Sequence, residues 1–157
     1  MFRPLKYIAE NDLKSATIAN SQAITLGDAI QPAATGHNQF VTPATTSGLI
    51  LGVVVSILQN GKVPEVSTVT VGSDNETTAK YTVRYIPLFV PMEFEADLDA
   101  AATGDNNAIC FLTLATAATL NHSTASNLFG GTPSQFLSFG VSSFSTTKVR
   151  GRFYQTL

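Results

Sequence analysis

Apolar and polar residues alternate along this chain. In AKYTVRYIPL (79–88), Tyr81, Val83 and Tyr85 fall on one side and Lys80, Thr82 and Arg84 on the other. In LFVPMEFEADLD (88–99), Met92, Phe94, Ala96 and Leu98 fall on one side and Glu93, Glu95, Asp97 and Asp99 on the other. A period of two is the pleat of a strand with one buried face, and no helix presents residues that way. Further β-like runs are QAITLGDAI (22–30), with Ile24, Leu26 and Ile30 on one face, GLILGVVVSILQNG (48–61), KVPEVSTVTVG (62–72), AICFLTLATAA (108–118), FLSFGVSSF and KVRGRFYQ. Turn signals separate them: Asn60-Gly61, GSDNET, and the long loop LNHSTASNLFGGTPSQ (120–135). About eight strands at roughly 10–12-residue spacing predict an all-β fold, a single antiparallel β-sandwich or β-barrel. Gly52 interrupts its run and predicts a bulge or bend there. Pro87 and Pro91 place Leu88–Val90 at an edge, corner or crossover.

Helical spacing is confined to Pro4–Lys14, where Leu5, Ile8, Ala9 and Leu13 predict a short helix. Arg3, Lys6, Glu10, Asp12 and Lys14 concentrate charge in the same region. Residues 1–21 are therefore expected to be an N-terminal arm or cap, laid on the β domain of residues 22–157 or reaching a neighbour.

The chain has 157 residues. That length suits one domain and buries roughly 70% of the unfolded surface without metal or disulfide. Charged residues make up 13% and the net charge is −2. With no basic excess, the composition argues against a protein held to nucleic acid by phosphate contacts. The longest apolar run, LILGVVVSIL (49–58), is about half a membrane span. The opening MFRPLKYIAENDLKS has no apolar stretch suited to a signal peptide, so the expectation is a protein kept or assembled in a cytoplasm, with no membrane partner. The single cysteine, Cys110, lies in AICFLTLA and reads as a small buried hydrophobe. Asn75-Glu76-Thr77 and Asn121-His122-Ser123 match the glycosylation pattern, as chance would produce in a chain rich in Asn, Ser and Thr.

The acids at Glu93, Glu95, Asp97 and Asp99 raise three readings. Alternate residues on a strand lie roughly 6.6–7 Å apart, which permits an inverting pair of carboxylates. A catalytic pair also needs a cleft and one raised pKa. Asp97, Asp99, Asp105, Asn106 and Asn107 are hard oxygen ligands for calcium but lack EF-hand spacing. The favoured reading is the wet face of a strand, with no catalytic, metal or cofactor role. Lys148, Arg150 and Arg152 also alternate, as do Lys80 and Arg84. These basic ladders suit pairing with the acids, across strands of one chain or between subunits. His37 and His122 sit in loops without clustered ligands, and Gly130-Gly131-Thr132-Pro133 lacks the lysine of a phosphate loop.

The opening MFRPLKYIAENDL and the segment LFVPMEFEADLDAAATGDNNA, in a small Thr/Ser/Ala-rich chain without bridges, resemble the capsid decoration (cement) proteins of tailed bacteriophages. That resemblance implies a non-enzymatic virion protein on the capsid exterior, a homotrimer clamping copies of the major capsid protein. Arg3, Lys6, Tyr7 and the ladders Glu93, Glu95, Asp97, Asp99, Lys148, Arg150 and Arg152 are then the interface candidates. The alternative is another virion or adhesive β module: a head-fibre base, a tail component or a glycan-binding domain.

Overall fold

The computed structural model describes residues 1–34, 39–46, 48–64, 66–102, 109–122, 135–142 and 145–154. They form fourteen strands, one four-residue helix and one 3₁₀ turn, so the fold is all-β as expected. No helix among the described residues is long and apolar enough to cross a membrane. The chain divides into two compact units, residues 1–7, 45–48 and 91–157, and residues 8–44 and 49–90.

The first unit contains β1 (Phe2–Pro4), β9 (Phe94–Leu98), β10 (Cys110–Leu112), β11 (Leu114–Thr116), β12 (Thr119–Leu120), β13 (Phe136–Ser142) and β14 (Ser145–Phe153). They make one sheet in the order β10-β13-β14-β9-β12-β11, with β1 added on β9. One edge of β9 is taken by antiparallel β14. The other edge is shared end to end. β1 runs antiparallel along Phe94–Ala96, and β12 takes over in parallel at Asp97 and Leu98. The inward residues of four strands meet in an aromatic cluster. The Phe153 ring lies 4.7 Å from Phe2, 5.7 Å from Phe94 and 5.1 Å from Phe136. Burying rings of this size stabilises the unit by about 2–3 kcal/mol each. Gly151 keeps β14 close to β13, because a Cβ there would lie 2.0 Å from the Leu137 carbonyl oxygen. Gln135 is buried and ties Thr45–Gly48 to this unit. Its Nε2 donates to the carbonyls of Thr45 and Gly48, and its Oε1 accepts from Leu114 N–H.

The second unit is a closed barrel in the order β2-β5-β4-β6-β8. Its strands are β2 (Lys14–Ile18), β4 (Ala29–Pro32), β5 (Phe40–Pro43), β6 (Gly52–Gln59) and β8 (Tyr81–Pro87). All pair antiparallel except β2 with β5. A two-stranded sheet of β3 (Ala23–Thr25) and β7 (Thr68–Thr70) supplies Ile24 and Val69 to the same core as Ile18, Ile30, Ile57 and Val83. Helix α1 (Asn75–Thr78) sets Asn75 beneath it, fully buried. Its Nδ2 donates to the carbonyls of Ile18 and Tyr81, and its Oδ1 accepts from Tyr81 N–H. The Asn75-Glu76-Thr77 glycosylation match thus falls on a side chain spent inside the unit.

Several local expectations change. Residues 1–21 are not an arm laid outside a β domain: β1 and β2 are hydrogen-bonded into sheets, and Phe2 is buried. The helix expected over Pro4–Lys14 reduces to a 3₁₀ turn, Glu10–Asp12, because Leu5 faces solvent and offers no apolar stripe. The Glu10 carboxylate accepts from the Arg84 guanidinium of β8. Asn60 and Gly61 both have positive φ and form the expected two-residue turn, with Gln59 and Lys62 bonded in both directions. The hairpin stops after that bridge, since Pro64 has no N–H to extend it, and β7 pairs with β3 instead. The bulge in β6 lies between Val54 and Ser56 rather than at Gly52. Gly52 is needed for close approach, since a Cβ would lie 2.1 Å from the Ile86 carbonyl oxygen.

Candidate functional site

The acidic ladder lies on the outer face of the first unit's sheet. Met92, just before β9, and Phe94, Ala96 and Leu98 within it are buried while the alternating acids turn outward, so the pleat alone brings them to one face. Strand register does the rest. Arg3 of β1 stands opposite Glu95 on one side, and Lys148 and Arg150 of β14 stand opposite Asp97 and Glu95 on the other. Lys148 Nζ lies 2.9 Å from Asp97 Oδ1 and 3.4 Å from Glu95 Oε1. Arg3 Nη1 lies 3.8 Å from Glu95 Oε1, an exposed and weak contact. Lys148 and Arg3 therefore pair with Glu95 and Asp97 within one chain.

Where β1 gives way to β12, the α-ammonium of Met1 donates to Asp97 Oδ2 at 3.0 Å and to the Ala118 carbonyl. One place further along, Asp99 Oδ1 accepts from His122 N–H at 2.8 Å and lies 2.7 Å from His122 Nδ1.

The electrostatics follow from these partners. Burial pushes the Asp97 carboxyl up, but the Lys148 ammonium and the Met1 ammonium outweigh it and hold the group below its ordinary value. Burial likewise raises Asp99, and the His122 backbone and ring outweigh it, so this acid too is lowered. Lys148 is raised by its hydrogen bond to Asp97. A general acid needs the opposite environment, one that keeps its proton near neutrality. Asp97 and Asp99 are thus built to stay ionised and paired.

The remaining sequence candidates are not drawn into this ladder. Glu93 is exposed just before β9, and its backbone carbonyl accepts from Leu5 N–H. Lys6 and Tyr7 are exposed, and Arg152 stands opposite Leu137. Arg150 and Arg152 make no ion pair among the described residues. No group of three or more His, Cys, Asp or Glu among the described residues could hold a metal ion. Asp105, Asn106 and Asn107, His37, and the Gly130–Pro133 turn lie outside the described residues. Cys110 is buried in β10. A shallow pocket at the β6 turn is lined by Gln59, Asn60, Lys62, Val63 and Pro64, with no acid or histidine among them.

Sequence reasoning missed Met1 and His122 as partners of the acids. Neither carried a signal, because each contact depends on where β12 lands beside β9. No protein-family model matches the chain, and no curated protein matches it.

Proposed function

We propose that the chain is a non-enzymatic structural protein of a virion, which binds the outside of a phage capsid as a homotrimer and stabilises contacts between copies of the major capsid protein. One observation carries the reading beside the resemblance. Glu95, Asp97 and Asp99 are each matched by a cation or hydrogen-bond donor of the same chain, which suits a rigid docking face more than a reacting centre. Ladders fixed in register set orientation on a partner more than raw affinity. The test is sedimentation of the purified chain with capsids, alongside its own mass in solution. Co-pelleting at saturable stoichiometry supports the proposal, and a monomer that never pellets with shells overturns it.

A second reading, an adhesive glycan-binding module, draws on exposed aromatic side chains. Phe89 is 74% exposed and Tyr7 93%. Rings presented this way are what a sugar face stacks on. Binding on a glycan array that is lost in Phe89→Ala would favour it over the capsid reading.

A further inference from the structure

The outer face of the seven-stranded sheet is divided. β9 and β1 carry the paired charges, whereas β10 and β13 carry apolar side chains. Phe111 stands opposite Leu137, and Leu137 opposite Arg152, so these three share one row across β10, β13 and β14. Ile109 and Phe139 lie two residues from Phe111 and Leu137 and continue the same face. Ile109 is 72% exposed and Phe139 is 41% exposed. Tyr154 extends the strip, with its ring 4.8 Å from Phe111 in an edge-on arrangement. A cluster of this kind on a sheet face marks an interaction surface more often than a lone exposed residue does.

Charge decides what it fits. Lys148 and Arg3 have carboxylates beside them, but Arg150 and Arg152, which border the apolar strip, have none among the described residues. Glu95 stands opposite Arg150 in register, yet it is engaged by Lys148 and Arg3. Both arginines are exposed and project from alternate positions of one rigid strand. Planar guanidiniums with no carboxylate beside them among the described residues, next to aromatic and aliphatic side chains, match a surface with an apolar centre and carboxylates at its rim.

We infer that this half of the sheet, with Phe111 and Leu137 in its middle row, Ile109 and Phe139 beside them and Arg150 and Arg152 at its border, is the face that docks on the shell, against an acidic-rimmed apolar patch of a capsid subunit. The inference rests on the capsid reading above and names the surface that reading requires. The probe is the empty head of the virus that encodes the chain, prepared without it. Arg150→Glu/Arg152→Glu and Phe139→Ser are compared with wild type by co-sedimentation. Arg150→Gln/Arg152→Gln serves as a milder pair, and Lys80→Glu, on the barrel unit, as control.

The expected result is binding weakened about tenfold or more by the first two variants, less by the glutamine pair, and unchanged by Lys80→Glu, with melting temperatures near wild type. Wild type that pellets with heads while the face variants pellet equally well overturns this face and leaves the capsid reading standing. Wild type that fails to pellet overturns both. A change of oligomeric state in the face variants without heads assigns the strip to a second copy of the chain, and overturns the shell as its occupant.

Discussion

Lys148 and Asp97 face each other across the β14–β9 pair with Nζ 2.9 Å from Oδ1, and the same ammonium reaches Glu95. One lysine thus holds two carboxylates that would otherwise repel along the strand. Replacing it by methionine keeps most of the stem's packing and leaves the acids facing each other. Lys148→Met is expected to lower stability by about 1 kcal/mol, with a smaller loss at high salt. A double-mutant cycle with Asp97→Asn in urea measures the coupling, and additive effects would show that the pair contributes nothing.

The carboxylates predict a pH dependence of mixed sign. Asp97 and Asp99 are lowered in the folded state, so their contribution is full above the unfolded value of about 3.9 and is lost as pH falls through the folded values. Acetylating the Met1 amine removes one cation beside Asp97 and should move that acid limb to higher pH. Urea midpoints measured from pH 7 down to the carboxylate range would show the shift. An unmoved limb would mean that the ammonium does not act on Asp97.

Asp28 runs the other way. It is buried in the turn between β3 and β4, and burial raises its pKa although its Oδ2 accepts from Thr25 N–H at 2.8 Å. A raised acid opposes folding while ionised, and the opposition fades as pH falls through its folded value. Asp28→Asn keeps an acceptor for Thr25 and should stabilise at neutral pH, by an increment that shrinks on acidification. An Asp28→Asn protein that melts below wild type at pH 7 would refute this.

Asn75 stands in for a missing stretch of ladder between the end of β2 and the start of β8. Asn75→Ala strands the carbonyls of Ile18 and Tyr81 and the N–H of Tyr81 inside the unit. The expected cost is about 3 kcal/mol, read by chemical denaturation. In a secretory host Asn75 should carry no glycan, which intact mass would check.

Gly52 and Gly151 occupy ordinary strand positions where a neighbouring carbonyl leaves no room for a side chain. Gly151→Ala and Gly52→Ala should each destabilise by about 3 kcal/mol, as overpacked sites do. Melting within a degree or two of wild type would mean that the strands separate freely there.

What could be read from the sequence was the half-buried strand. β9 follows its alternation residue by residue, because one face meets the aromatic cluster and the other meets water. Pairing of its acids with Lys148 was also legible, since both ladders have the period of the pleat. The strands that escaped are short. KSATI and FVTP give too few positions for a period, and β12 is only Thr119–Leu120. Nor does a local pattern reveal that β2 pairs in parallel with β5. Leu5, Ile8, Ala9 and Leu13 imitated helical spacing, while the buried anchor of the region was Phe2, outside that pattern. Gly52 gave a true signal of an unusual backbone neighbourhood, but one of contact and not of a bulge.

The shared edge of β9 also sets an order of events during synthesis. Phe2 is made long before its ring partners, Phe136 and Phe153. Neither exists until the ribosome has passed every strand of the barrel. Residues 8–44 and 49–90, by contrast, contain every strand of the barrel and can close it while the rest is still emerging. Strand β1 must therefore wait, with its phenylalanine uncovered, until β13 and β14 have been made. For this sheet the last strand made is the one that lets the first one settle, so chains cut short before β14 should be the aggregation-prone products of expression.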